Sequence, residues 1–187
     1  HPKDFTDDVI SAIKECDKIC KVIHLPLQAG STKILKAMNR VHSKEEFIDL
    51  ANKIKEEIPD AKFTTDIIVG FPGETDELFM ETYTFLRDVV KPAFIHIFPY
   101  SKRAGTPAAE RKDQVQDSVK TQRVQMLEEL SAQLHEEFIA SNKGVAEKVL
   151  FESTDRKGMM EGYTGNYIRI SRKYDPELIG KIVDVTI

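Results

Sequence analysis

The sequence is short of cysteine, of long apolar runs and of excess charge, and each shortage removes a class of protein. Cys16 and Cys20 are its two cysteines in 187 residues. A disulfide-scaffolded secreted fold is thereby excluded, and the pair suits a reduced cytosolic compartment. No apolar stretch approaches the roughly 18–20 residues of a membrane span. The opening HPKDFTDDVI is polar and has no apolar h-region, so a signal peptide is not expected there. A formal charge of −4 argues against a generally cationic nucleic-acid surface but leaves room for a local basic patch. Internal repeats and low-complexity tracts are absent as well.

What is present is a globular composition, 41% hydrophobic and 31% charged, long enough for one domain or for one domain with a small appendage. Over residues 1–143 apolar strands alternate with helices. Thr6 is placed to cap a first helix, with Val9, Ile10 and Ile13 on one face. CKVIHLPL then has strand character, and Ser31 caps a short helix. Ser43 and Glu46 have capping-box spacing ahead of a helix whose inward stripe is Phe47, Leu50, Ala51 and Ile54. AKFTTDIIVGF and AFIHIFPY are the other strands, separated by a helix starting at Thr75. A long helix is expected from about Asp113 to about Asn142. This order predicts βαβ units and a parallel sheet. Residues 144–187 read differently, as short strand-like pieces between turns, and predict a small antiparallel β-barrel.

Three strand ends carry Gly, Pro and small polar residues: HLPLQAGS (24–31), DIIVGFPGET (66–75) and IHIFPYSKRAGTP (96–107). In parallel α/β folds ligands sit at the carboxyl ends of the strands. Gly70 and Gly73 suit either close backbone approach to a ligand or ordinary turn geometry. His24 and His96, inside apolar strands, read as hydrogen-bonded core histidines. Asp66 is costly to bury unless it faces a polar cavity near a barrel mouth. Glu74, beside Thr75, reads as a carboxylate favoured at a helix N-terminus. Cys16 and Cys20 match two positions of a C-x3-C-x2-C triad whose third position is Ile23; they read as structural packing cysteines.

Together, HLPLQAGSTKILKAMNR, TTDIIVGFPGET and FPYSKRAGTPAA resemble the C-terminal half of the radical S-adenosylmethionine methylthiotransferases. VLFESTDRKGMMEGYTGNYIRI resembles their TRAM domain, a small OB-like, tRNA-binding β-barrel. The resemblance extends over essentially the whole chain, and IHIFPYSKRAGTPAA is most similar to the branch acting on N6-threonylcarbamoyladenosine in tRNA. It implies an α/β chain: the last strands of a six-stranded (β/α) barrel over 1–143, then a TRAM-like barrel over 144–187. The family's cluster motif lies upstream of anything present here, and the chain begins with His1 rather than Met. A truncated piece is therefore expected, without ligands for the family's four-iron–four-sulfur clusters and catalytically inactive alone.

For the whole enzyme the resemblance implies addition of a methylthio group to C2 of a hypermodified adenosine next to the anticodon. The alternatives are isopentenyladenosine in tRNA, a ribosomal protein, or a non-catalytic RNA-binding module. By the same resemblance Ile68, Val69, Gly70 and Phe71 lie against the adenine of S-adenosylmethionine, with Gly73 allowing close approach. Gln28 and Ser31 contact the ribose or methionine moiety, Arg40 pairs with the methionine carboxylate, and Asp66, Tyr100 and Ser101 complete the wall. Lys102 and Arg103 are phosphate contacts for the tRNA anticodon stem-loop. In the tail, seven Lys/Arg balance seven Asp/Glu over 145–187, so RNA contact rests on Arg169, Arg172 and Lys173 with Tyr163 and Tyr167 for stacking. A cut barrel leaves open sheet edges, which predicts edge-mediated association between copies.

Overall fold

A computed structural model describes residues 2–154 and 158–187, without the side chains of Ser153 and Thr154. His1, together with Asp155, Arg156 and Lys157 from the tail's charge balance, lies outside the described residues. Three strands, β1 (Val22–His24), β2 (Lys62–Val69) and β3 (Phe94–Pro99), form a parallel sheet in the order β1-β2-β3. Along β2 the side chains alternate strictly between half-buried and buried, the period of a strand with two unlike faces. Phe63, Thr65, Ile67 and Val69 face the helices, while Thr64, Asp66 and Ile68 face the opposite, open side.

The first strand is shorter than CKVIHLPL suggests, because Pro26 has no N–H to give to a ladder. A buried hydroxyl repairs the gap: Thr65 Oγ1 donates to the Leu25 carbonyl (2.8 Å) and accepts the Leu27 N–H (3.0 Å). Pairing with β2 resumes at Gln28, whose N–H reaches the Asp66 carbonyl and whose own carbonyl accepts from Ile68.

Helix α1 (Asp7–Glu15) follows Thr6, whose side chain makes no capping bond. α2 (Thr32–Ala37) follows Ser31, and α3 (Lys44–Glu57) has the expected capping box of Ser43 and Glu46. α4 (Asp76–Phe85) is capped by the Thr75 side chain and ends in a π-helical turn, Leu86–Val90. The long helix begins later than expected. A short α5 (Pro107–Glu110) comes first, and residues 111–116 are pinned by the Arg111–Asp113 ion pair, the Gln114 side-chain bonds and the Gly73 N–H donated to the Asp113 carbonyl. α6 then runs Asp117–Ser141, burying Lys120, Arg123, Leu127, Leu130, Ser131 and Leu134. Its leucines join Ile23, Phe47, Ile54, Ile67 and Val69 in the main core.

The tail contains β4 (Ala146–Thr154), β5 (Met159–Thr164), β6 (Arg169–Lys173) and β7 (Ile182–Thr186), an antiparallel sheet ordered β6-β5-β4-β7. It is a curled half-barrel around Val149, Phe151 and Met160. β6 and β7 end the order, so among the described residues no ladder closes it into the complete barrel expected from sequence. Among the described residues no helix is long and apolar enough to cross a membrane.

Candidate functional site

The carboxyl ends of β1, β2 and β3 converge on a small apolar cluster, Ala29, Ile34, Leu35 and Phe71, with Tyr100 packed against it. Gln28 leaves β1 with a positive φ of 75° and is 7% exposed. Gly30 gives its N–H to Thr82 of α4 (3.0 Å), drawing the loop inward. Ser31 follows, 1% exposed, and among the described residues its Oγ has no hydrogen-bond partner. From the third strand end, Tyr100 donates its N–H to the Val69 carbonyl and packs edge-on against Phe71, centroids 5.2 Å apart. Its hydroxyl is likewise buried and partnerless among the described residues. Two unsatisfied hydroxyls beside an apolar floor are expensive unless a ligand satisfies them.

Gly70 and Gly73 owe their identity to the turn. Their φ values are 72° and 85°, in the left-handed region, and a Cβ on Gly70 would lie 2.4 Å from Lys120 Cγ. Lys120 is 8% exposed, holds its Nζ 3.0 Å from Asp117 Oδ1 and lies 5.8 Å over the Tyr100 ring. Glu74 is not the helix-dipole carboxylate expected from sequence. α4 begins at Asp76, and the Glu74 side chain turns inward to accept from Gly70 N (2.9 Å) and Arg123 Nη1 (2.6 Å). Arg123, 4% exposed, also reaches Asp76 (2.6 Å). Burial pushes the Glu74 carboxyl above its ordinary range, opposed by the Gly70 N–H and Arg123.

The expected wall is split by the strand pleat. Ile68 is half-buried on the open face, whereas the Val69 side chain enters the main core and leaves only its carbonyl at the strand end. Arg40 is half-buried beyond α2; Ser101, Lys102 and Arg103 are exposed after β3. Asp66 sits four residues before Gly70, and it is not alone. His24 and His96 are exposed on the same open face, not core histidines: His24 Nε2 is 3.3 Å from Asp66 Oδ2, and the two imidazoles meet edge-on at 5.5 Å.

Cys16 and Cys20 are not packing residues either. Cys16 is half-buried at the end of α1 and Cys20 is exposed just before β1. Both lie at the amino end of the sheet, opposite the Ser31–Tyr100 end. In the tail, Tyr163 and Tyr167 stack with centroids 4.8 Å apart, and Arg169 pairs across strands with Tyr163 while ion-paired to Glu161. Lys173 shares their face. Arg172 falls on the other face, its guanidinium 5.9 Å from the Phe151 ring.

Lys120 and Arg123 were missed from sequence although a signal exists. They continue the stripe Leu127, Leu130, Leu134 at heptad-like spacing, so two cations stand where an apolar residue is due.

Sequence comparison identifies relatives for this arrangement. The Radical SAM superfamily matches residues 2–86. Over 97% of its length the chain is 44% identical to the "Threonylcarbamoyladenosine tRNA methylthiotransferase MtaB" of Bacillus subtilis, covering 41% of that protein. Over its full length it is 46% and 48% identical to proteins named "tRNA-2-methylthio-N(6)-dimethylallyladenosine synthase" from Acetivibrio thermocellus and Clostridium tetani, covering 39% and 42% of them. The chain thus spans well under half the length of these relatives. Among solved structures, archaeal Methanocaldococcus infernus Elp3 with an N-terminal deletion superposes with a TM-score of 0.50 at 14% identity, covering 94% of this chain and 56% of that one, a likeness of fold.

Proposed function

The chain belongs by sequence to the radical SAM methylthiotransferase family, and from that premise we propose that its β1–β3 strand ends form part of an S-adenosylmethionine wall in a tRNA methylthiotransferase. The observation that carries this reading is the pair of buried, unsatisfied hydroxyls, Ser31 Oγ and Tyr100 Oη, beside Phe71 and Gln28. Unsatisfied hydroxyls beside an aromatic ring fit a ligand with an aromatic ring and several polar oxygens and nitrogens. Phe71 would take the adenine, Ser31 and Gln28 the ribose or amino-acid portion, and Tyr100 the far rim, with Ile68, Gly70 and Gly73 as backbone and side-chain lining. Arg40 and Ser101 stand further out along the same wall, whereas Asp66, four residues before Gly70, lies deeper on the sheet and outside it. Bound there, S-adenosylmethionine supplies the sulfonium chemistry, while the protein supplies orientation and exclusion of water.

A cluster does not fit this chain's own cysteines, which number two and lie at the wrong end of the sheet. No step is assigned to them. The chain is proposed to be inactive alone and to contribute binding surface. Residues 144–187 would act as a TRAM-like tRNA contact through Tyr163, Tyr167, Arg169 and Lys173, with Lys102 and Arg103 facing the anticodon stem-loop.

The substrate proposed for the whole enzyme is N6-threonylcarbamoyladenosine, methylthiolated at C2. Dimethylallyladenosine in tRNA is the second reading, favoured by the 46% and 48% identities to proteins named for it. Mass spectrometry of nucleosides from tRNA treated with the enzyme containing this segment separates the two. For the wall itself, Ser31→Ala and Tyr100→Phe are each expected to weaken S-adenosylmethionine binding about fivefold, the worth of about 1 kcal/mol. Thermal stability should stay unchanged or rise, because each variant removes an unsatisfied group. Unchanged calorimetric affinity in both would sink the reading.

A further inference from the structure

The open face of the parallel sheet carries a second constellation, deeper than the strand ends. His24, Asp66 and His96 each precede by four residues the Gln28, Gly70 and Tyr100 at their strand's end, which places them about 13 Å further down the strands. Their convergence follows from register. His24 pairs with Thr64, Asp66 lies two residues on along the same face, and His96 is the direct partner of Asp66. One ligand atom from each of the three lies within 4.8 Å of the other two.

We propose that His24, Asp66 and His96 form a binding site for a divalent first-row transition ion, with Zn2+ as its ordinary occupant. Two imidazoles and one carboxylate are the donors such ions take, with the remaining positions left to water or substrate. The His24–Asp66 separation suits an ion better than a direct bond. His24 Nε2 and Asp66 Oδ2 are 3.3 Å apart, longer than the roughly 2.7–2.9 Å of a charge-assisted hydrogen bond. Two ligands on one ion, with bonds of about 2.0–2.2 Å at 90–109°, stand about 2.8–3.6 Å apart.

His24 Nδ1 is 2.9 Å from Thr64 Oγ1. A second partner of this kind orients metal-binding histidines and settles which nitrogen carries the proton. When Nδ1 donates to Thr64, Nε2 is left as a lone pair facing a carboxylate oxygen, two acceptors that need a cation between them. The opposite tautomer would donate Nε2–H to Asp66 and need no ion. The side chains of His24 and Asp66 are 45% and 25% exposed, so an ion can enter from the open face. Phe94 packs edge-on to His96, with ring centroids 5.0 Å apart.

The site is distinct from the Ser31–Tyr100 wall, and its test needs no S-adenosylmethionine, so either assignment can fail without the other. The untagged chain, with Cys16→Ser and Cys20→Ser so that no thiolate competes, is titrated with Co2+ and followed by visible absorption, then challenged with Zn2+. One saturable equivalent is expected, displaced by Zn2+. Asp66→Asn and His96→Ala should each weaken binding at least about 100-fold, and Thr64→Val about tenfold, within the range of lost outer partners. Circular dichroism checks that each variant folds; should Asp66→Asn unfold, His96→Ala and Thr64→Val decide. Absence of saturable binding, or equal affinity across the folded variants, overturns the site and identifies the cluster as hydrogen-bonded only.

Discussion

Arg123 is the residue on which the β2–α4 turn depends. Its guanidinium holds Glu74, which in turn holds the Gly70 N–H, so one buried cation fixes the backbone beside Phe71. Arg123→Ala leaves a buried carboxylate without its counter-charge and should cost about 3–5 kcal/mol in urea unfolding. A loss below about 1 kcal/mol would mean that the turn holds without it. The loss should also depend on pH. Burial already raises the Glu74 carboxyl, and removing Arg123 raises it further, so the folded variant retains a proton that the unfolded chain releases near 4.5. Stability then falls as pH rises above that value: the deficit should be smaller at pH 4 than at pH 7. Legibility at this scale was uneven. The Ser43–Glu46 box could be read from spacing, whereas Glu74 could not, because its partner lies 49 residues away.

Among the elements, β1 shows how a broken strand keeps its register. Pro26 interrupts the ladder, and the Thr65 hydroxyl, fully buried, serves Leu25 and Leu27 in its place. Thr65→Val preserves shape but orphans a backbone carbonyl and an N–H, so a loss of about 2–6 kcal/mol is expected at about 1–3 kcal/mol per group. Thermal unfolding measures it, and a neutral substitution would show that the loop re-pairs elsewhere. α6 teaches the complementary lesson. Its leucines mark an inward stripe in the sequence, but the late start at Asp117 follows from the Gly73–Asp113 and Gln114 contacts, which local propensity does not encode.

For the molecule as a whole, the three-stranded sheet has β1 and β3 at its edges, and Phe94 and Phe98 are 43% and 50% exposed on its open face. Unpaired edges beside apolar surface favour pairing with another chain. Concentration-dependent association is therefore expected in sedimentation equilibrium, and Phe98→Lys should weaken it. A chain that stays monomeric at all concentrations would show that this surface is inert. The tail has a core of its own, Val149, Phe151 and Met160, beneath a half-barrel whose aromatic pair faces outward.

The α/β order, the parallel sheet, the antiparallel tail and the capping of α3 were legible in the chain alone, because they rest on period, spacing and short motifs that are local in it. Which side of each strand faces outward could be seen only in the assembled fold. It moved His24 and His96 from an imagined core to an open face beside Asp66, and sent Val69 inward and Arg172 behind its sheet. It also joined Glu74 to Arg123. These outcomes depend on register between strands and on partners tens of residues apart, and neither is written in any single stretch of the chain.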